Sequence, residues 1–468
     1  MDIGATMLSP IEFMPQNGGV PIRLFLTPDL LPDAATLAQL ERLANVPGLE
    51  HHVAGLPDIH RKSRNPTPTG TVVVTKNALV PRAVDAGINC GMRILRTDID
   101  MRDVTASALD ELFGTVMRTV PGHQHDQPLL SKEEVAEILV HGGTWCQKTY
   151  GLSDAELHCI EDGATAPTDT EDAEAILASV PRKAINKGRR RFCTIGGGNH
   201  FLELQEIVDV LDQETADRLG LGVGKAVFML HTCSRGVASN VMKAYVAELE
   251  QKFLPRQSAT PASPLWSVPA DTEEGIRFAR AIAAAANFGF ANRIVVTEKL
   301  RAAVRQVLHD ASLSLLYDCA HVSIKPELWH GERLWVHRHG ASRALPPSQL
   351  ADHPVFAKTG QPVPIPGSMG HDSFIGVADE TAAAAFWSVN HGAGRVLDKP
   401  EAVARFTAAE VEQHMRDKHI RLYRYGTDNI AEQAPSSFKD VSQVVQAMSA
   451  LSLAKPVVRV RPVAVLKG

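Results

Sequence analysis

The stretch "TEEGIRFARAIAAAANFGFANRIVVTEKLRAAVRQVL", Thr272 to Leu308, reads as a long helical region in which Gly289 is a point where the helix could be interrupted. Short apolar runs elsewhere predict strands: "TVVVT" from Thr71, "AVFML" from Ala226, "LSLLYD" from Leu313 and "PVVRVRPVAVL" near the C-terminus. Helices and strands do not alternate regularly. The sequence therefore predicts an α+β fold, with mixed or antiparallel sheets surrounded by helices, rather than a doubly wound parallel sheet.

Composition places the chain among globular proteins. Its 468 residues are 44% hydrophobic and 22% charged, and no apolar run approaches the ~18 residues that span a membrane. The N-terminus has no signal-peptide pattern, and the six cysteines are scattered without a CxxC pair, so we expect a cytoplasmic protein. Two polar stretches, from Glu161 and from Pro255, are expected to be loops. Neither separates regions of different composition, so one large domain over residues 1–468 is predicted.

One segment concentrates positive charge, although the net charge of -5 gives no general attraction to nucleic acid. "RKAINKGRRR", Arg182 to Arg191, carries six basic residues and no acidic one. Such a run is either a solvated surface turn or a phosphate-binding patch. The sequence leaves both interpretations open.

Four histidines occupy similar positions at the ends of predicted strands or of a glycine turn. "VFMLH" ends at His231, "LLYDCAH" at His321, "FWSVNH" at His391, and the glycine-rich "FCTIGGGNH" at His200. "GINCGM" adds Cys90. One thiolate and several imidazoles describe a borderline-soft metal site for zinc, manganese or iron. The alternative is that some of the 19 histidines end strands by chance and are structural.

Glycine-rich stretches suggest a cradle for a phosphate or nucleotide. "VNHGAGR", residues 389–395, places His391 against glycines that let a ligand approach the backbone, and "PIPGSMGHDS", residues 364–373, offers N–H groups and two hydroxyls. Arg235, in "HTCSRG", could contact a phosphate through two parallel hydrogen bonds. Glu203, in "GGGNHFLEL", could accept two N–H bonds from a guanine edge. Each motif alone is a weak signal.

Nine motifs in one order make the pattern specific: "INCGM", "GGGNHFLE", "HTCSRG", "YDCAH", "VHRHGASRALPP", "IPGSMG", "NHGAGR", "APSSFKDV" and "VLKG". On these motifs the sequence resembles the RtcB family of RNA ligases, from "GLPDIH" at Gly55 to the C-terminal "VLKG". The family joins a 3′-phosphate or 2′,3′-cyclic-phosphate RNA end to a 5′-hydroxyl end, using GTP and manganese. The resemblance implies an RtcB-like fold, a role in RNA repair or tRNA splicing, RNA ends and GTP as partners, and no membrane; it leaves protein partners open.

The resemblance also implies roles for particular residues. His391 would be the nucleophile that takes GMP from GTP and passes it to the RNA 3′-phosphate, before the 5′-hydroxyl attacks. The metal ligands fall on Cys90, His200, His231 and His321, for one or two Mn²⁺ ions, with zinc as an alternative. The implied GTP-binding residues are Asn199, His200, Phe201, Leu202, Glu203, Pro366, Gly367, Ser368, Met369, Ser373, His391, Gly392, Ala393, Gly394 and Lys467.

The sequence departs from the family where a second metal would be held. Gly87 stands where the family has an aspartate three residues before its cysteine. Asp85 is expected to point elsewhere, and Asn89 offers only a weaker, neutral oxygen. Three further departures are Val322 for the usual Asn, His339 for Lys and Phe438 for Tyr.

Two cysteines lie two residues from presumed ligands: Cys233 in "HTCSRG" and Cys319 in "YDCAH". In extended segments, residues i and i+2 face the same side, so both thiols could face the metal pocket and favour zinc over manganese. Alternatively, both are small buried packing residues.

Two rival functions follow from the missing carboxylate at Gly87. One is a diverged paralogue that guanylylates itself, and caps or binds RNA ends without joining them efficiently. The other is an RNA-end-binding protein that has lost turnover. The presence of His391, Glu203 and Lys467 argues against complete loss of chemistry.

Overall fold

The computed structural model describes residues 8–16, 18–63, 65–257, 264–309, 311–426 and 429–468. The strands are β1 (Ile11–Phe13), β2 (Ile22–Leu24), β3 (Leu49–His60), β4 (Thr69–Thr75), β5 (Ala78–Leu79), β6 (Gly91–Asp100), β7 (Phe201–Val210), β8 (Lys225–Thr232), β9 (Val268–Pro269), β10 (Leu313–Ala320), β11 (Val322–Trp329), β12 (Glu332–His339), β13 (Ala341–Arg343), β14 (Pro362–Ile365), β15 (Ser373–Ala378), β16 (Ser388–Asn390), β17 (Arg421–Arg424) and β18 (Ala454–Lys467).

The helices are α1 (Ala34–Ala44), α2 (Ala106–Thr119), α3 (Lys132–His141), α4 (Gly143–Tyr150), α5 (Asp154–His158), α6 (Ala173–Ala178), α7 (Arg182–Arg191), α8 (Gln213–Leu219), α9 (Val237–Gln257), α10 (Glu273–Leu308), α11 (Lys399–Arg405), α12 (Ala408–Asp417) and α13 (Val441–Ala450). Short 3₁₀ turns lie at Pro28–Leu30, Pro81–Ala83, Met101–Asp103, Glu161–Ala164, Pro347–Gln349, Glu380–Ala385, Ile430–Gln433 and Pro435–Ser437.

Two large sheets organise the molecule. The first has the order β1-β2-β3-β4-β12-β11. The second has the order β10-β6-β8-β7-β18-β15-β14, with β17 also paired to β18. Neighbouring strands are antiparallel except in the β2–β3 and β17–β18 pairs, which are parallel. The predicted α+β class, with mixed sheets and surrounding helices, is confirmed.

The long helix α10 runs without interruption, so Gly289 does not break it. Thr272 caps its N-terminus by accepting a hydrogen bond from the Gly275 N–H at 3.2 Å. A Cβ at position 289 would lie 3.0 Å from the Cβ of Asn89. The glycine therefore serves close packing of α10 against the loop before β6. The apolar side chains of α10 form much of the largest core cluster.

The register of the second sheet brings the ends of its central strands together. Phe201 of β7 and Met92 of β6 both pair with His231 of β8. Gly91 pairs with Ala320, the last residue of β10. The residues directly before β6 and β7, and those at the ends of β8 and β10, therefore meet at one edge of the sheet.

Other local predictions fare unevenly. The basic segment "RKAINKGRRR" is helix α7 rather than a turn, and the choice between a solvated surface and a phosphate-binding patch stays open. The polar stretch from Glu161 begins with a 3₁₀ turn. In the stretch from Pro255, positions 258–263 lie outside the described residues. No helix in the described ranges has the length and apolar character to cross a membrane.

Candidate active site

A thiol and three imidazoles converge at that sheet edge. Cys90 Sγ lies 3.2 Å from His231 Nε2 and 3.3 Å from His200 Nε2. His231 Nε2 in turn lies 3.2 Å from His321 Nε2. The donor atoms of Cys90, His231 and His321 all lie within 4.8 Å of one another. The four predicted metal ligands are thus brought together.

The chemistry of these donors fits a metal ion. His231 Nδ1 donates to the carbonyl of Asn199 at 3.1 Å, which leaves its Nε2 lone pair directed into the cluster. Burial lowers the pKa of both His231 and His321 well below the ordinary histidine value, so both imidazoles are neutral. Converging neutral imidazoles beside a thiol form a ligand set for a borderline-soft divalent ion.

Helix α10 holds the loop that carries Cys90 through the side chain of Arg293. Arg293 donates to the Asn89 backbone carbonyl at 2.9 Å and to its side-chain oxygen at 2.8 Å. The same guanidinium bonds to the fully buried carboxylate of Asp318. The His321 N–H donates to the Cys90 carbonyl at 2.8 Å. The side-chain oxygen of Asn89 is therefore engaged by Arg293 and does not serve as a free metal ligand.

The structure has space for a side chain at Gly87, the position where the family has a carboxylate. Among the described residues other than its chain neighbours, a Cβ at Gly87 would meet within 4 Å only the Cβ of Cys90, at 3.8 Å, which is ordinary contact. Asp85 forms an ion pair with Lys62, so it points elsewhere as expected. Burial lowers the pKa of His339, beside Lys62, to about 3, so this residue cannot supply the charge of a lysine.

The side chain of His391 is held by a carboxylate that the sequence interpretation missed. His391 Nδ1 lies 2.6 Å from Asp58 Oδ2, and the Asp58 side chain is fully buried. The proton is therefore held on Nδ1, and Nε2 keeps its lone pair. The ring centroids of His391 and His321 lie 4.9 Å apart, so His391 adjoins the thiol–imidazole cluster. Asp58 had one signal in the sequence: it is an acidic residue inside the apolar run "VAGLPDIH".

The glycines after His391 serve the packing of this histidine. Gly394 has φ +76°, and a Cβ there would lie 2.2 Å from the Asp58 carbonyl oxygen. A Cβ at Gly392 would lie 3.0 Å from the carbonyl oxygen of Pro366, which also accepts the Ala393 N–H. The two glycines thus allow the segments that carry Asp58 and Pro366 to approach the histidine loop.

The predicted guanosine contacts gather on three adjacent strands. Glu203 of β7 is two register positions from Lys467 of β18. Gln205 donates to Glu203 at 2.8 Å and contacts the Ser373 hydroxyl at 3.4 Å. Burial raises the pKa of Glu203 to about 7, against the opposing effects of Gln205 and Lys467. The ring of Phe201 lies 5.7 Å from the Lys467 ammonium.

The loop between β14 and β15 lies beside the predicted guanosine contacts. The Gly367 N–H donates to the Ser373 hydroxyl at 3.0 Å, and the Ser368 hydroxyl bonds to His371 at 2.9 Å. Met369 packs in an apolar cluster that also contains Phe201. The side chain of Leu202 is buried in the α10 core cluster, so this predicted residue has no side chain free to reach a ligand.

An aromatic–arginine pair borders the predicted pocket. The Arg395 guanidinium lies 4.6 Å from the ring centroid of Phe438, and it reaches the exposed Asn199 side chain at 3.5 Å. Phe438 therefore keeps an aromatic face for Arg395 without a hydroxyl.

Comparison with known proteins identifies the family of the chain. The model of the family described as tRNA-splicing ligase RtcB matches residues 39–468. The chain belongs to the RtcB family. A tRNA-splicing ligase RtcB of Pyrobaculum aerophilum is 33% identical over 96% of this chain and 95% of the relative. The RtcB of Aeropyrum pernix is 32% identical over 92% and 91%, respectively. The RtcB of Pyrococcus abyssi is 34% identical over 81% of this chain and only 42% of the relative.

Proposed function

We propose that this RtcB-family protein is a GTP-dependent, metal-dependent RNA ligase acting in RNA repair or tRNA splicing in the cytoplasm. It would join 3′-phosphate or 2′,3′-cyclic-phosphate RNA ends to 5′-hydroxyl ends through a GMP–histidine intermediate. The observation that carries the proposal is the contact between His391 and the thiol–imidazole cluster, with ring centroids 4.9 Å apart. Family membership supports RNA as the substrate.

The chain's own groups suit three successive transfers. His391 Nε2 attacks the α-phosphorus of GTP and pyrophosphate leaves, while Asp58 holds the proton on Nδ1. The guanylyl group then passes from His391 to the RNA 3′-phosphate, which a cyclic end provides after hydrolysis. The 5′-hydroxyl attacks the activated phosphate and GMP leaves. Mn²⁺ or Zn²⁺ held by Cys90, His231 and His321 would neutralise charge on the phosphoryl oxygens.

Glu203 is expected to select guanine. Its carboxylate would accept hydrogen bonds from guanine N1–H and N2–H₂, which adenine cannot supply in the same pattern. An unmatched buried polar group costs about 1–3 kcal/mol, so GTP should exceed ATP in affinity by a factor of roughly 10 to 100. Glu203→Ala should remove most of this preference, measured by competition between the two labelled nucleotides. Equal labelling by GTP and ATP in the unmodified protein would refute the assignment of guanine recognition to Glu203.

Guanosine binding is expected to depend on pH around neutrality. The pKa of Glu203 is raised to about 7 by burial, so the carboxylate needed for guanine is protonated below that pH. Guanosine affinity should therefore fall about tenfold between pH 8 and pH 6. Guanosine carries no phosphate that titrates in this range. Calorimetric titration of Glu203→Gln should give a flat profile, and a flat profile in the unmodified protein would contradict the assignment.

Manganese occupancy is expected to be nearer one than two ions per chain. Gly87 provides no carboxylate, and thiolate and imidazole ligands suit manganese less well than oxygen does. Gly87→Asp, for which the structure has room, should raise tightly bound manganese from about one to about two ions per chain and should speed strand joining. Gly87→Asn is the neutral control. Two tightly bound manganese ions in the unmodified protein, by elemental analysis after dialysis, would show this reasoning to be wrong.

Strand joining tests the proposed function. The purified chain is incubated with GTP, Mn²⁺ and two RNA strands, one ending in a labelled 3′-phosphate and the other beginning with a 5′-hydroxyl. The proposal expects a joined strand that carries the labelled phosphate at its junction, and no product without GTP. Guanylylation without joining would favour the diverged-paralogue alternative, which the absent carboxylate at Gly87 keeps open.

A further inference from the structure

The backbone of Lys439 holds the loop that begins at His391. The Lys439 N–H donates to the Gly394 carbonyl at 3.0 Å. One residue earlier, Phe438 forms an antiparallel β-bridge with Arg395. The segment that carries Lys439 is therefore fixed directly against the histidine loop.

The half-buried side chain of Lys439 reaches the segment that carries Asp58. Its Nζ donates to the backbone carbonyl of Ile59 at 2.8 Å and to that of Pro57 at 3.2 Å. These two carbonyls belong to the residues on either side of Asp58. Lys439 thus connects the two segments that bring Asp58 and His391 together.

The carboxylate of Asp58 is buried and only partly satisfied by hydrogen bonds. Its Oδ2 accepts from His391 Nδ1 at 2.6 Å and from the His391 backbone N–H at 3.3 Å. Its Oδ1 is buried and has no hydrogen-bond partner among the described residues. A buried carboxylate in this state depends on a nearby positive charge to stay ionised.

Lys439 supplies that charge. Burial lowers the pKa of Lys439, and the Asp58 carboxylate opposes this shift, so the ammonium and the carboxylate interact. His60 also donates to the Asp58 backbone carbonyl, from Nδ1 at 2.9 Å, but burial lowers its pKa to about 3 and it brings no charge.

We propose that Lys439 is a positioning residue for guanylylation, which acts through Asp58 on the orientation and tautomer of His391. Its side chain fixes the backbone on both sides of Asp58, and its backbone fixes the loop of His391. A carboxylate held in this way keeps the imidazole proton on Nδ1 and directs Nε2 towards the α-phosphorus. The inference rests on the proposed function, in which His391 is the nucleophile.

Lys439→Met should slow guanylylation about 10- to 100-fold at saturating GTP and leave GTP affinity within about threefold. Methionine keeps much of the aliphatic side chain but has neither the charge nor a donor for the two carbonyls. Single-turnover rates with α-labelled GTP and Mn²⁺ give the rate, equilibrium binding is measured separately, and circular dichroism checks the fold. Lys76→Met is the matched control, because Lys76 is exposed and pairs with Glu332, and it should react at the unmodified rate.

A double variant separates positioning from general support of the fold. If Lys439 acts through Asp58, adding Lys439→Met to Asp58→Asn should slow the reaction by less than about threefold more, because the carboxylate on which the lysine acts is already absent. Equal slowing in the two backgrounds would overturn the proposal. A rate of Lys439→Met within about threefold of the unmodified protein would overturn it as well.

Lys439→Gln is a second variant, which keeps a polar side chain at this half-buried position without the charge. It too should react more than about threefold slower than the unmodified protein, and it decides the test if Lys439→Met does not fold. Failure of both variants to fold, with Lys76→Met folded, would make Lys439 a residue of the fold and overturn the proposal. If GTP does not label even the unmodified protein, the proposed function itself is contradicted, so the two failures are distinguishable.

Discussion

Replacing His391 with alanine should abolish covalent labelling of the protein by GTP. The imidazole Nε2 is the nucleophile in the proposed reaction, and alanine provides no atom to receive the guanylyl group. The side chain is 19% exposed and follows a short strand, so its truncation should leave the fold intact. Labelling is measured with α-labelled GTP after denaturing electrophoresis, and circular dichroism checks the fold.

A second histidine variant serves as a control. It tells whether labelling is lost because the nucleophile is absent or because removal of any histidine disturbs the protein. The imidazole of His125 bonds to the carbonyl of Phe192, so His125→Ala should label at the unmodified rate. Undiminished labelling of His391→Ala would move the nucleophile to another residue and refute the assignment.

Asp58→Asn should slow guanylylation by roughly 10²–10⁴-fold while changing GTP affinity little. The asparagine amide is nearly the same size, but its NH₂ group can donate to His391 Nδ1 and drive the proton onto Nε2. The nucleophilic lone pair would then be lost at the atom that must attack phosphorus. Single-turnover rates at saturating GTP measure the effect, and equilibrium binding of GTP is measured separately.

The structural alternative for Asp58 makes a different prediction. If the buried carboxylate only supports packing beside Gly394, Asp58→Asn should lower the melting temperature and leave the rate of the folded fraction unchanged. A rate within threefold of the unmodified protein would contradict the positioning role.

The fold class and the metal-ligand cluster were accessible from the sequence for a physical reason. Histidines at the ends of apolar runs lie at strand ends, and strand ends of one sheet meet at an edge. His231 and His321 could be recognised in this way, and the glycine loop before His200 marked a third segment. The pairing of β6, β8 and β10 could not be predicted, because strand order depends on contacts between segments far apart in the chain.

Side-chain direction accounts for most of what the sequence left open. Cys233 and Cys319 have the same spacing from a presumed ligand, yet Cys233 is half-buried and Cys319 is buried in the core. Asp58 is 333 residues from His391 in the chain, and no local pattern links the two. Gly289 looked like a helix break, because the close approach of Asn89 that requires a glycine there exists only in the folded protein.

The central claim is that His391 takes the guanylyl group, and mapping the adduct tests it most directly. The unmodified protein is incubated with α-labelled GTP and Mn²⁺, and the labelled peptide is identified by mass spectrometry. We predict about one guanylyl group per chain, attached to His391 by an acid-labile, base-stable bond of the phosphoramidate type. No adduct, or an adduct on a residue other than His391, would contradict the account.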